Sequence, residues 1–203
     1  MKQEEKTKLT REKIISAAME EFGINGYAGT ALNGIVSRAG IAKGLFYHNF
    51  QSKDEIYILC IGRSMQQLTE YLRQQDIGAD LKKYTRARLD FFKSHPNASR
   101  LFFEAVLQPP VALREQIAKQ RKEFDALNLE IYDRILEKLS LREGVTKEEA
   151  SSYFKLMQEV FNGYFSSPAF GEMPLFDKIE AHEAYLPKVM EMMLYGIAEK
   201  RNE

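Results

Sequence analysis

The sequence predicts an all-α protein of about nine helices, an N-terminal three-helix unit followed by a longer helical body. Three observations predict it. Apolar residues recur at intervals of three and four along most of the chain, which is the repeat of a helix face. No stretch alternates apolar with polar residues as a half-buried strand would, and no internal repeat or low-complexity tract interrupts the pattern. The breakers Gly40, Gly78, His95-Pro96 and Pro109-Pro110 stand between the periodic stretches.

A first helix is predicted over residues 10–22, capped by Thr10, with Ile14, Ala17, Ala18 and Phe22 as its apolar stripe. Gly23 and Gly26 are expected to end it, with Tyr27 packing under the next helix. The basic residues around its start, Lys2, Lys6, Lys8 and Arg11, read as a solvated tail or as an arm reaching phosphate or the minor groove. From Thr30 to Lys53 the chain reads as two short helices, a tight turn between them, and the start of a third. Leu32, Ile35, Val36 and Ala39 give the first an apolar face, Gly40 supplies the residue without Cβ that the turn favours, and Ile41 plugs the angle. The second, residues 42–49, is too short to be stable unless its neighbours hold it. Such a pair presents side chains to a DNA major groove.

Ser52 and Glu55 form a capping box for a long helix reaching residue 75. Helices follow over residues 79–94, 97–107 and 111–139. A second capping box, Thr146 with Glu149, opens a helix through Phe165, and a last helix runs over residues 177–200 after a turn-rich loop.

Composition bounds the function classes. With 203 residues, 44% of them hydrophobic, the chain can bury one substantial core or two modest ones. No apolar run approaches the roughly 20 residues that span a bilayer, and the polar N-terminus is not a signal peptide, so the cytoplasm is expected. The single cysteine, Cys60, fits a reducing compartment and reads as an inert buried thiol. The formal charge is zero, but residues 1–53 carry eight Lys/Arg against five Asp/Glu, so the positive charge is gathered where the helix pair lies.

Residues 10–57 resemble the DNA-binding domain of TetR-family transcriptional regulators. The resemblance rests on Phe22-Gly23, Gly26-Tyr27, Thr30, Ile35, Ala39-Gly40-Ile41, Lys43-Gly44, Phe46-Tyr47, Phe50 and Ser52-Lys53. The chain departs from the family's usual pattern at Ala42, Leu45 and Asn49. A side-chain cap on the recognition helix is therefore missing, and base preference does not carry over. The resemblance implies a DNA-binding domain over residues 1–53 and an effector-binding and dimerisation domain over residues 54–203. It makes Thr30, Lys43, Tyr47 and Lys53 candidate phosphate contacts. Gly44, Leu45 and His48 would face the groove floor, where Leu45 could meet a thymine methyl and His48 a base edge or phosphate.

One recognition helix reads few base pairs, so a homodimer on a pseudo-palindromic double-stranded operator is expected. In the family the last two helices form the dimer interface, for which Tyr153, Val160, Met190, Met193, Leu194 and Ile197 are the candidates. The family also implies a small-molecule effector. Phe91, Phe92, Phe102, Phe103, Phe124, Tyr132, Met157, Phe161 and Tyr164 are the candidate lining, though any one of them reads first as helical core, and such walls favour an apolar or aromatic ligand.

An enzyme, a metal site and a cofactor find no support. His48, His95 and His182 are far apart and lack zinc-site spacing, and Gly40 and Gly44 do not make a P-loop. The reading is a ligand-responsive DNA-binding regulator, a repressor released by its effector. The alternative is a helical protein–protein interaction module that kept the fold and lost DNA binding.

Overall fold

The computed structural model describes residues 3–197, and its regular elements are helical. They are α1 Gln3–Gly29, α2 Leu32–Ala39, α3 Lys43–Asn49, α4 Lys53–Gln74, α5 Leu81–Ser94, α6 Pro96–Leu107, α7 Arg114–Leu136, α8 Lys147–Phe165 and α9 Leu175–Ile197. Short 3-10 turns occupy Val111–Leu113 and Pro168–Phe170, and no β-strand occurs among the described residues. The chain forms two compact units interleaved in sequence. One holds the chain up to Gln67 together with Phe92–Arg121, and the other holds Leu68–Phe91 and the chain from Lys122 onward. The boundaries fall inside α4, α5 and α7.

In the first unit α1, α2, α3 and the start of α4 close around Ile14, Ala18, Phe22, Ile35, Phe46, Phe50 and Tyr57, all buried. Phe22 meets Tyr57 edge-on at 4.9 Å between ring centroids, a favoured aromatic geometry. α1 departs from expectation. It starts at Gln3, runs through Gly23, and breaks only at Gly26, whose φ of 70° is left-handed. Gly23 serves a different purpose: a Cβ there would collide with the side chain of Asn97, so the missing methyl lets α6 approach α1. The polar residues at the start are helical because Gln, Glu and Lys are good helix formers.

In the second unit Tyr84, Phe124, Ile131, Tyr132, Phe154 and Leu186 are buried together with several polar groups. The Arg88 guanidinium pairs with both Glu183 carboxylate oxygens, Nε at 3.2 Å and Nη2 at 2.7 Å. Tyr84 donates to Asn128 Oδ1 at 2.6 Å, and Arg88 Nη1 reaches the Tyr84 hydroxyl oxygen at 3.4 Å. His182 Nδ1 lies 3.1 Å from the same carboxylate. A carboxylate only accepts, so Nδ1 carries the proton in neutral His182.

Several helix ends differ from the sequence reading. The box at Thr146 forms completely, with Glu149 N–H donating to Thr146 Oγ1 at 3.1 Å and Thr146 N–H to Glu149 Oε2 at 2.9 Å. At α4 only half forms: Glu55 N–H donates to Ser52 Oγ, but the Glu55 carboxylate accepts from Gln51 N–H. α5 starts after Asp80, whose carboxylate accepts from the N–H groups of Lys82 and Lys83. The predicted helix over 111–139 divides into a 3-10 turn and α7, and α9 begins before residue 177; its predicted end at residue 200 lies outside the described residues.

Candidate nucleic-acid interface

The turn between α2 and α3 is a Schellman motif. Gly40 takes φ 58°, ψ 44°, its N–H donates to Ser37 O at 3.0 Å, and Ile41 N–H donates to Val36 O at 3.2 Å. Only a residue without Cβ takes this left-handed conformation readily, so Gly40 sets the angle at which α3 leaves.

Two rings hold α3 from behind. Phe46 and Phe50 are fully buried, their centroids 5.6 Å apart. Arg11 of α1 closes the far end by donating to Asn49 O at 2.8 Å while its guanidinium lies 4.3 Å from the Phe50 ring centroid. Asn49 donates to Leu45 O, so its amide serves the helix end. At the near end Ala42 is extended and offers no side-chain cap.

With its back anchored, α3 exposes Lys43, Gly44, Leu45, Tyr47 and His48 together. Leu45 is 38% and Tyr47 53% exposed, far above the apolar residues of the core behind them. A Cβ at Gly44 would meet nothing within 4 Å, so the backbone there is open to a close partner. This short helix presents one cation, two hydrogen-bonding rings and an apolar tip on a rigid support, which suits the polar and methyl edges of a major groove.

Thr30 and Lys53 sit differently. Thr30 is 3% exposed and its hydroxyl donates to Gly26 O at 2.7 Å, which leaves no proton for a phosphate. Lys53 Nζ donates to Tyr27 O at 2.9 Å and Thr30 O at 3.2 Å, and lies 4.1 Å from the Tyr27 ring centroid. Two of its three protons thus tie down the α1–α2 connection, leaving one for phosphate. Lys6 and Lys8 are exposed on α1 rather than on a tail; Lys2 lies outside the described residues.

Sequence reasoning missed the supports. Arg38 pairs with Glu20 and Glu21 at 3.0 and 2.7 Å, tying α2 to α1. Tyr27 donates its hydroxyl to Asp54 at 2.6 Å, and its phenol is pushed up to about 12, first by that hydrogen bond. Glu104 of α6 accepts from Tyr27 N–H and from Tyr57 OH. No local pattern marks these partners, because they are distant in sequence.

The candidate effector residues divide between the units. Phe92, Phe102 and Phe103 pack on one another in the first, centroids 4.8 to 5.1 Å apart. Phe91, Phe124, Tyr132, Met157, Phe161 and Tyr164 belong to the second. Tyr132 stacks on Phe154 at 4.0 Å, and its hydroxyl is buried with no hydrogen-bond partner among the described residues. Phe161 packs against His182, Met157 is half-buried, and Tyr164 is exposed.

Of the dimer candidates, Val160 is exposed, Tyr153 and Leu194 are half-buried, and Met190 and Met193 are buried within the single chain. The side chain of Ile197 lies outside the described residues. Besides Val160, the large exposed apolar residues of α8 and α9 are Leu156, Tyr164, Phe176, Tyr185, Met192 and Tyr195. Cys60 is buried, its thiol pushed up to about 12 by burial and hence unreactive. Among the described residues no cluster of His, Cys, Asp and Glu could hold a metal, and no helix is long and apolar enough to cross a membrane.

Comparison with known proteins identifies the family and the fold. Residues 14–60 match the family described as bacterial regulatory proteins, tetR family, and residues 75–195 match the tetracyclin repressor-like C-terminal domain. The HTH-type transcriptional activator FasR of Mycolicibacterium smegmatis is 31% identical over 117 residues, 54% of this chain and 53% of that protein. The chain thus spans about half the length of the curated relatives it matches. A transcriptional regulator from Rhodococcus shares the fold with TM-score 0.66 at 18% identity, covering 94% of this chain and 98% of that one. FadR of Bacillus subtilis, solved with stearoyl-CoA, gives TM-score 0.61 at 20% identity, covering 92% and 98%.

Proposed function

Because the chain belongs to the TetR family of bacterial regulatory proteins, we propose that it is a DNA-binding transcriptional regulator that reads its operator with α3. The observation that carries this is the shared exposure of Lys43, Gly44, Leu45, Tyr47 and His48 over the buried anchors Phe46 and Phe50. Lys43 and the remaining proton of Lys53 meet phosphates, while Leu45 and His48 address base edges.

The protein acts as a homodimer, setting two copies of α3 about 34 Å apart on a pseudo-palindrome. Leu156, Val160 and Tyr164 recur every fourth residue along α8, and Tyr185, Met192 and Tyr195 stand exposed on α9. A second copy covers this apolar surface in the reading supported here.

A small apolar effector enters the second unit, where the Tyr132 hydroxyl still lacks an acceptor. FadR was solved with stearoyl-CoA, so long-chain acyl compounds are the first class to test. The effector favours the state that fits DNA less well, and repression is relieved; equal affinity for both states would shift nothing.

The test is fluorescence anisotropy with operator selected from genomic DNA across a salt series, for the wild type and Lys43→Ala. Selective wild-type binding that falls steeply with salt, with a shallower slope in the variant, supports the reading. Failure of any genomic fragment to outcompete scrambled DNA overturns it, in favour of an interaction module that has lost DNA binding.

A further inference from the structure

The connection between α1 and α2 is held by one side chain from α6. Gly26 turns to φ 70° and breaks α1, so the next N–H, that of Tyr27, leaves the helix ladder. It donates to both carboxylate oxygens of Glu104, at 2.9 and 3.1 Å. The same Glu104 Oε2 accepts from the Tyr57 hydroxyl of α4 at 3.1 Å. Tyr27 is gripped from its other sides: its ring lies 4.7 Å from that of Tyr57, its hydroxyl donates to Asp54, and Lys53 donates to its carbonyl. Lys53 also donates to Thr30 O, one residue before the N-cap of α2. Gly26 is favoured here by its φ, and a Cβ would press on the clamp itself, lying 3.0 Å from Glu104 Oε1 and 3.3 Å from Arg100 Nη2.

A carboxylate facing a backbone N–H and a phenol makes charge-assisted bonds, stronger and more directional than those between neutral groups. Burial pushes the Glu104 carboxyl up, while the Tyr27 N–H and Tyr57 OH favour its ionised form. Arg100, which donates to Ile24 O, and Lys53 lie near enough to favour the carboxylate as well. From this clamp the chain passes directly into α2, and the Schellman turn at Gly40 carries α3 with it.

We propose that Glu104 is a positioning residue for DNA recognition: through the backbone N–H of Tyr27 it fixes the start of α2, and so the angle at which α3 meets the groove. The proposal rests on the DNA-binding reading above. The Glu104 carboxylate is occupied by the Tyr27 N–H and the Tyr57 hydroxyl and, being an anion, does not attract phosphate, so on this proposal it governs operator selectivity rather than general attraction to phosphate. Glu104→Gln keeps the size but offers one acceptor oxygen in place of two.

The test compares wild type and Glu104→Gln in three measurements on the full chain. Hydrogen exchange at the Tyr27 amide of the DNA-free protein should rise at least about tenfold as the bond weakens. The ratio of operator to scrambled-DNA affinity should fall about tenfold, while scrambled-DNA affinity and its salt slope stay unchanged. Tyr57→Phe, which removes one donor and leaves Tyr27 N–H bonded, should lower the ratio less and in the same direction; it carries the test if Glu104→Gln fails to fold. An unchanged ratio in both variants overturns the proposal, as does unchanged exchange at Tyr27. Equal loss of operator and scrambled-DNA binding also overturns it, because that marks general destabilisation. A wild type without operator preference overturns the DNA-binding reading instead, so the two failures are distinct.

Discussion

The Arg11 guanidinium donates to the Asn49 carbonyl at 2.8 Å and rests 4.3 Å from the centre of the Phe50 ring, so α1 caps the C-terminal end of α3. The last carbonyls of a helix lack intrahelical donors and carry partial negative charge, which a cation satisfies on both counts. α3 has seven residues and little stability of its own, so its order depends on such supports.

Arg11→Ala should therefore loosen α3 without unfolding the protein. The lost hydrogen bond and cation–π contact amount to about 1 kcal/mol at this half-buried site. The expected outcome is operator affinity reduced roughly fivefold with the melting temperature lowered by only about 2–4 °C. Unaltered affinity would show that Phe46 and Phe50 suffice to hold the helix.

Acid should destabilise the second unit through His182 and Glu183. Burial holds the His182 imidazolium below its ordinary value of 6.5, and Arg88 adds repulsion, against the pull of Glu183. The unfolded chain thus takes up a proton that the folded chain refuses, and stability present above pH 6.5 is lost as the pH falls below it. At 1.4 kcal/mol per pH unit, the loss at pH 5 is at most about 2 kcal/mol, or roughly 4–8 °C in Tm. Burial alone would raise Glu183, but Arg88 and His182 pull it well below 4.5, so its contribution is lost only in stronger acid and with the same sign. Thermal melts at pH 7.5 and pH 5 should differ by several degrees in the wild type and by less in His182→Gln. An equal drop in both would place the acid sensitivity elsewhere.

Local signals were legible and distant ones were not. Ala39-Gly40-Ile41 announced its turn because a Schellman motif closes within six residues of chain. Thr146 and Glu149 announced their capping box for the same reason. Phe46 and Phe50 fell on the anchored side of α3 and Lys43, Leu45, Tyr47 and His48 on the open side, as the helix period requires. Gly23 misled because a glycine can end a helix or admit a neighbour, and only the position of Asn97 decides. Thr30 misled because its hydroxyl turns back to its own backbone. Arg88 and Glu183 stand 95 residues apart, so no window on the chain joins them. On α9 the apolar period was clear, but periodicity does not say which flank the chain covers itself. Met190 and Met193 turn inward, and Met192 and Tyr195 are left outside.

That division gives a test of the dimer. Val160 and Tyr195 are 54% and 66% exposed, so a glutamate at either position perturbs little within one chain. Val160→Glu and Tyr195→Glu should each yield a folded monomer by sedimentation, with operator affinity reduced at least about tenfold through loss of the second half-site. Met193→Glu, at 4% exposure, should instead lower the melting temperature sharply by burying an unpaired charge. Dimers that persist in both surface variants would move the interface away from α8 and α9.

The Tyr132 hydroxyl is the sharpest probe of an effector in the second unit. Tyr132 is 1% exposed, stacks on Phe154 with rings inclined by 12°, and leaves its hydroxyl without a partner among the described residues. A buried hydroxyl that bonds to nothing costs about 1–3 kcal/mol, so removing it from the empty protein should do no harm. Tyr132→Phe is thus expected to keep or slightly raise the melting temperature. If the effector supplies the missing acceptor, the same substitution should weaken effector binding about tenfold and leave operator affinity without effector unchanged. Calorimetry with long-chain acyl compounds and anisotropy on the operator separate the two effects. A large drop in melting temperature would reveal a structural partner such as a buried water, and the hydroxyl would then belong to the core rather than to a ligand site.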